Sequence, residues 1–190
     1  MRVIQVNEPD QREACLARLC ADTFGSDAGL TPLLRFAGVA GVLFEQQAAR
    51  VLALVDDSSR PLALALLVLD KANQGMTPML MVDLDSEAGN SPAMVLIHEL
   101  AERAPLRVDA SDDAERERFE HAGIGRWFDG PHDIRIGLNS HHPATGLDDL
   151  SPPLGVDDAA VTQSLKRDPK LFESYKQRFT NGLANFPATL

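Results

Sequence analysis

Three apolar runs in succession, 50–55, 61–69 and 79–85, limit what this chain can fold into more than any other feature. Each has the length of a strand, and polar turn residues bound it. Residues 56–60, Asp-Asp-Ser-Ser-Arg, join the first two as a hairpin, and 71–78 read as a loop. Strict alternation of strand and helix would give an all-parallel sheet. Three strands with no helix between them need antiparallel partners, so the sheet must be mixed.

The rest of the pattern surrounds this core. Residues 2–6 alternate as a first strand, and Leu16, Leu19, Cys20 and Phe24 mark a helix over 10–24. Thr31 as N-cap and Pro32 open a second helix over 32–48. Gly38 and Gly41 inside it each cost about 1 kcal/mol against Ala, which predicts a bend or a split. Pro92 opens a third helix, whose apolar face carries Met94, Leu96, Ile97, Leu100 and Ala101, and Pro105 stops it after 104. A short strand, 106–110, leads to a helix with Asp112 and Glu115 as a capping box and Gly123 as its end. Residues 125–129 and 133–138 close as a hairpin.

The order is βααβββαβαββ: an α/β fold with a mixed, mostly antiparallel sheet flanked by helices. It occupies 1–139. Residues 140–155, rich in Pro, Asp and Gly, read as a linker, and 156–190 as a helical extension. The stripe of Leu165, Phe172, Tyr175, Phe179 and Leu183 in that extension must be buried, on its own domain or on a second copy. The second alternative gives a homodimer through the tail.

Composition narrows the function classes. With 190 residues, 44% apolar and 24% charged, the chain suits one globular domain. No run approaches the ~18–20 apolar residues of a membrane span. The first ten residues lack the layout of a signal peptide, so a cytoplasmic location is expected. A net charge of −10 argues against nucleic acid and mildly favours a cationic small molecule or peptide. Cys15 and Cys20 point apart on one helix and read as buried small hydrophobes. The pair His141-His142 has no spaced third ligand, so no metal site is expected.

Chemistry concentrates at 79–124. A turn that delivers a strand into a helix offers free backbone N–H groups and the positive end of a helix dipole, which together suit an anion. Here that turn is Ser86-Glu87-Ala88-Gly89-Asn90-Ser91, followed by Pro92. The same residues also read as an ordinary helix capped by Ser91. On the other side of the turn, Met81, Asp83 and Asp85 share one face of the strand, and Leu80, Val82 and Leu84 the other.

This element order and turn resemble the GCN5-related N-acetyltransferases over residues 1–139. Their pyrophosphate loop, Gln/Arg-x-x-Gly-x-Gly/Ala, aligns with 86–91, so Gly89 would let the backbone approach phosphate, with Asn90 and Ser91 beside it. Ser86 departs from the long polar residue of the pattern, and Glu87 adds a negative charge. The family's helix Asn-x-x-Ala-x-x-x-Tyr-Glu-Lys-x-Gly-Phe aligns with 112–124. Asp112 then falls on the Asn and Phe119 on the Tyr that serves as general acid, a role a phenyl ring cannot fill. Tyr175 could replace it only if the tail folds over the cleft.

The resemblance implies acetyl-CoA as cosubstrate and acetyl transfer to a primary amine of a small molecule or peptide. Pantetheine would lie along the strand at Val82 and Leu84, and Gly89, Asn90, Ser91, Asp112 and Phe119 would complete the cofactor side. Asp83 is the candidate base, with Glu45 behind it. Both acids also read as solvated residues at the ends of elements. The departures at Ser86 and Phe119 support a rival from another class: a non-catalytic protein of the same fold that binds a ligand or dimerises.

Overall fold

Ala49–Val55 (β2) and Pro61–Leu69 (β3) pair antiparallel at the centre of the molecule. Both are buried almost throughout because helices cover both faces of their sheet. Arg2–Gln5 (β1) pairs on one side and Met76–Asp83 (β4) on the other, giving the order β1-β2-β3-β4. The computed structural model describes residues 1–85 and 91–190.

Side-chain alternation divides the core. On one face Val51, Leu64 and Leu66 meet Cys15, Leu16 and Leu19 of Pro9–Phe24 (α1) and Phe36 of Thr31–Gly38 (α2). On the other, Leu54, Ala63 and Leu67 meet Leu96 and Ile97 of Pro92–Ala101 (α3). The chain then forms Arg107–Ala110 (β5), Asp113–His121 (α4), Arg126–Asp129 (β6) and Arg135–Leu138 (β7). The last three strands make a separate antiparallel sheet, β5-β7-β6.

Several boundaries differ from the sequence reading. β4 begins at Met76, inside the expected loop, and α3 ends at Ala101. Thr31 is the first residue of α2, and Leu30 precedes it with no side-chain cap. Gly38 and Gly41 do not break the second helix. It continues from α2 into a π turn, Val39–Leu43, and the glycines make room for the tail. A Cβ on Gly38 would sit 2.4 Å from Val156, and one on Gly41 would sit 2.3 Å from the Tyr175 hydroxyl.

The tail forms Asp158–Arg167 (α5) and Pro169–Ala184 (α6). Tyr175, Phe179, Leu183 and Phe186 join the α1–α2 core, and Phe179 meets Phe36 edge to face at 5.5 Å. Arg178 pairs with Glu13, and Arg35 with Asp158. Tyr175, Phe179 and Leu183 of the stripe that motivated a homodimer thus pack on the chain's own helices, and Phe172 stays half-buried outside that cluster. Both ends of the chain meet the β2–β3 turn: the Met1 ammonium pairs with Asp57, and Leu190 N–H donates to Ser59 O.

Candidate active site between two diverging strands

The site follows from how β4 and β5 part. They touch at one end, where Met76 and Leu106 form a single parallel bridge and Met76 N–H donates to Pro105 O. By alternation, the next β4 donor toward β5 would come from residue 78, which is a proline and has none. A register shift opposite Leu66/Leu67 follows at once, the mark of a bulge. With no donor and a bent strand, the two sheets diverge. Buried Asn139 holds the hinge by accepting from Leu106 N–H (2.9 Å) and donating to Ala101 O and Ala104 O (2.8 and 2.7 Å).

A cavity of about 290 Å³ opens in the split, lined by Pro78, Met81, Val108, Asp109, Glu115 and Phe119. A second recess of about 50 Å³ shares Met81, Glu115 and Phe119 and adds Met94 and Arg118. Register decides which backbone groups face it. Leu84 N–H donates to Leu62 O, so Leu84 and, two residues back, Val82 direct their backbone toward β3. Their side chains pack in the α1–α2 core. This corrects the assignment of Val82 and Leu84: the groups turned toward the split belong to Met81 and Asp83.

Asp83 lies at the end of β4, against the first turn of α3. Its carboxylate accepts from Ala93 N–H (2.6 Å) and from Ser91 Oγ–H (2.8 Å). Ser91 caps the helix, accepting from Met94 N–H (3.4 Å). The positive end of α3 therefore already faces an internal anion. Gly89 and Asn90, with Ser86, Glu87 and Ala88, lie outside the described residues.

Glu45 is not behind Asp83. It is exposed in the turn after the π segment, and nearby Ala48 O accepts from Leu69 N–H, where β3 meets Met76. Asp83 is at the far end of eight-residue β4, roughly 23 Å away at ~3.3 Å per residue. The two carboxylates cannot share one proton.

Phe119 is buried at the cavity wall. Asp112 is exposed and caps α4 by accepting from Glu115 N–H (2.7 Å), lining neither recess. Tyr175 is packed on Gly41 in the tail interface and does not face the split. Two acids that the sequence reading did not single out for the site do line it. Asp109 pairs with Arg107 at 2.9 Å, and Glu115 accepts from Ser111 N–H at 2.9 Å. Glu115 lies one helical turn before Phe119, and that i, i+4 spacing was the signal available. Among the described residues no His, Cys, Asp and Glu cluster could hold a metal ion, and no helix is long and apolar enough to cross a membrane.

No protein-family model and no curated sequence matches the chain. Solved structures match it by shape. A chimera of the spermidine N-acetyltransferase SpeG of Vibrio cholerae with hSSAT aligns over 74% of this chain and 95% of its own, with TM-score 0.51 and 10% identity. The fold is that of the GCN5-related N-acetyltransferases. The GNAT-family YhbS of Escherichia coli, in complex with CoA, covers 72% of this chain and 80% of its own (TM-score 0.48, 16% identity). An aminoglycoside 6'-N-acetyltransferase complexed with coenzyme A covers 73% and 94% (TM-score 0.49, 12% identity). In this GNAT fold, the single β4–β5 bridge and the cavity beyond it give the split its shape, and Pro78 gives the local reason for it.

Proposed function

We propose that the split between β4 and β5 binds the pantetheine arm of acetyl-CoA and that the chain transfers the acetyl group to a primary amine. The observation that supports this is the open cavity, about 290 Å³, lined by Met81, on the β4 edge that no other strand pairs with there among the described residues. An amide-bearing chain fits such a slot as an added strand would. When bound, acetyl-CoA supplies an activated thioester.

This chain's residues would do the rest. Met81 and Asp83 backbone groups orient the pantetheine amides, while Phe119 and Met94 exclude water from one wall. Ser91 and Ala93 in the first turn of α3 would serve the diphosphate only by exchanging Asp83, which now takes their donors, for the ligand. A cationic amine must lose a proton before it attacks. Asp83 is proposed as the acceptor of that proton through lone pairs left over from its two hydrogen bonds, and Glu115 is the rival from the cavity wall. The net charge of −10 favours a cationic acceptor.

The second reading, a ligand-binding protein without turnover, is favoured by Phe119 at the position of the acid and by Asp83 on the donors of α3. Thermal shift with acetyl-CoA and CoA tests the site, and thiol release with a panel of primary amines, spermidine included, tests the reaction. A melting temperature unmoved by millimolar acetyl-CoA overturns the transferase reading and favours the non-catalytic one. A shift without thiol release leaves the binding protein.

A further inference from the structure

A second cavity, about 330 Å³, lies at the far end of the sheet, where α1 packs beside the start of β2. Its lining is mostly polar: Gln5, Asn7 and Gln47 amides surround Arg12 and Arg50, with Phe44 as one wall. The guanidinium of Arg12 lies over the Phe44 ring, 4.3 Å from its centroid, which holds the planar fork in place. None of its nitrogens has a hydrogen-bond partner among the described residues, and its Nε is buried. Buried donors are rarely left so.

Arg50 bonds Gln47 O and Ala49 O (2.8 and 3.0 Å) through one nitrogen and leaves the other two without a partner among the described residues. Gln47 takes a left-handed backbone (φ 55°) in the turn that presents this carbonyl. Neither arginine forms an ion pair among the described residues. Of the carboxylates near the cavity in sequence, Glu8 accepts from Gln11 N–H and Glu13 pairs with Arg178, while Glu45, next to Phe44, is exposed and pairs with neither arginine. Two unpaired guanidiniums facing one polar cavity stand out in a chain of net charge −10.

We infer that this cavity is a binding site for a small oxyanion, a carboxylate or a phosphate, held by the forks of Arg12 and Arg50. The cavity volume sits at the low end of the ~300–1,000 Å³ usual for small-molecule sites. The site is separate from the β4–β5 split and stands whether or not acetyl-CoA binds there.

The test is an NMR titration of the arginine Nε–H signals with inorganic phosphate and with malonate, against sodium chloride at matched ionic strength. The expected result is a saturable shift of the Arg12 signal with one or both oxyanions and none with chloride; which one saturates first separates a tetrahedral from a planar ligand. R50Q is expected to weaken binding by about tenfold or more. R12K keeps the charge but loses the fork and is expected to do the same. Both should leave the thermal shift with acetyl-CoA as in the parent chain. Shifts that track ionic strength alone, or binding unchanged in R50Q, overturn the inference.

Discussion

Replacing Asp83 should move stability and anion binding in opposite directions. Its carboxylate serves α3 as a second cap, with bonds of 2.6 Å from Ala93 N–H and 2.8 Å from Ser91 Oγ–H. Losing a helix-capping acceptor costs about 0.5–2 kcal/mol. Removing an anion from the first turn costs a further ~0.3–1 kcal/mol. Asp83 is exposed, so the lower half of these ranges applies, and D83A should lose about 1–2 kcal/mol. In a chain of this size that lowers Tm by about 2–8 °C. D83N keeps one acceptor and should lose about half as much.

The same change frees donors and removes a negative charge where a diphosphate would lie. Affinity for CoA should therefore rise about two- to fivefold in D83N, the equivalent of ~0.3–1 kcal/mol, and more at low salt than at high. If Asp83 also takes the proton of the amine, kcat falls in the same variant while binding tightens. Urea unfolding and calorimetry with CoA read the two quantities independently. D83A within about 0.3 kcal/mol of the parent refutes the cap. Weaker CoA binding in D83N refutes the competition for donors.

Asn139→Ala strips partners from Leu106 N–H and from two carbonyls of the α3 end, so it should cost at least about 3 kcal/mol in urea unfolding and reduce the acetyl-CoA thermal shift. Deleting 156–190 uncovers Phe36 and its neighbours, and the product should scatter light as an aggregate and bind a hydrophobic dye. Burial pushes the Cys15 and Cys20 thiols up to about 12, so neither should react with a thiol reagent in the native state near pH 8. The unfolded chain releases these protons near pH 8.5, so above that stability should fall by up to about 1.4 kcal/mol per pH unit per thiol, until the folded thiols ionise near pH 12.

Local signals made much of this fold legible. The β2–β3 hairpin, the Asp112–Glu115 cap and the Ser91-Pro92 start of α3 each depend on residues within five positions of one another, and all form. What failed involved distant partners. Gly38 and Gly41 read as a weakness in a helix because Val156 and Tyr175, which need their missing side chains, come more than a hundred residues later. Residues 71–78 read as a loop, yet Pro78 lies inside β4, and its missing donor lets β4 carry on while β5 leaves it.

The candidate site divides along the same line. Alternation along β4 separated the faces of Asp83 and Val82 but could not say which backbone edge β3 would occupy, so Val82 and Leu84 read as facing the split when the register turns Met81 and Asp83 toward it. Nor could spacing show that Glu45 and Asp83 sit at opposite ends of one sheet.

The shared anchorage of Met1 and Leu190 on the turn at 56–59 has a practical side. A few glycines would bridge them into a ring, and fresh ends could then be cut elsewhere, for instance in the exposed stretch at 147–149. Such a circular permutant would keep the edge strand β1 and the C-terminal segment clipped to the same turn. Each would then guard the other against fraying, with the hairpin acting as their common clasp.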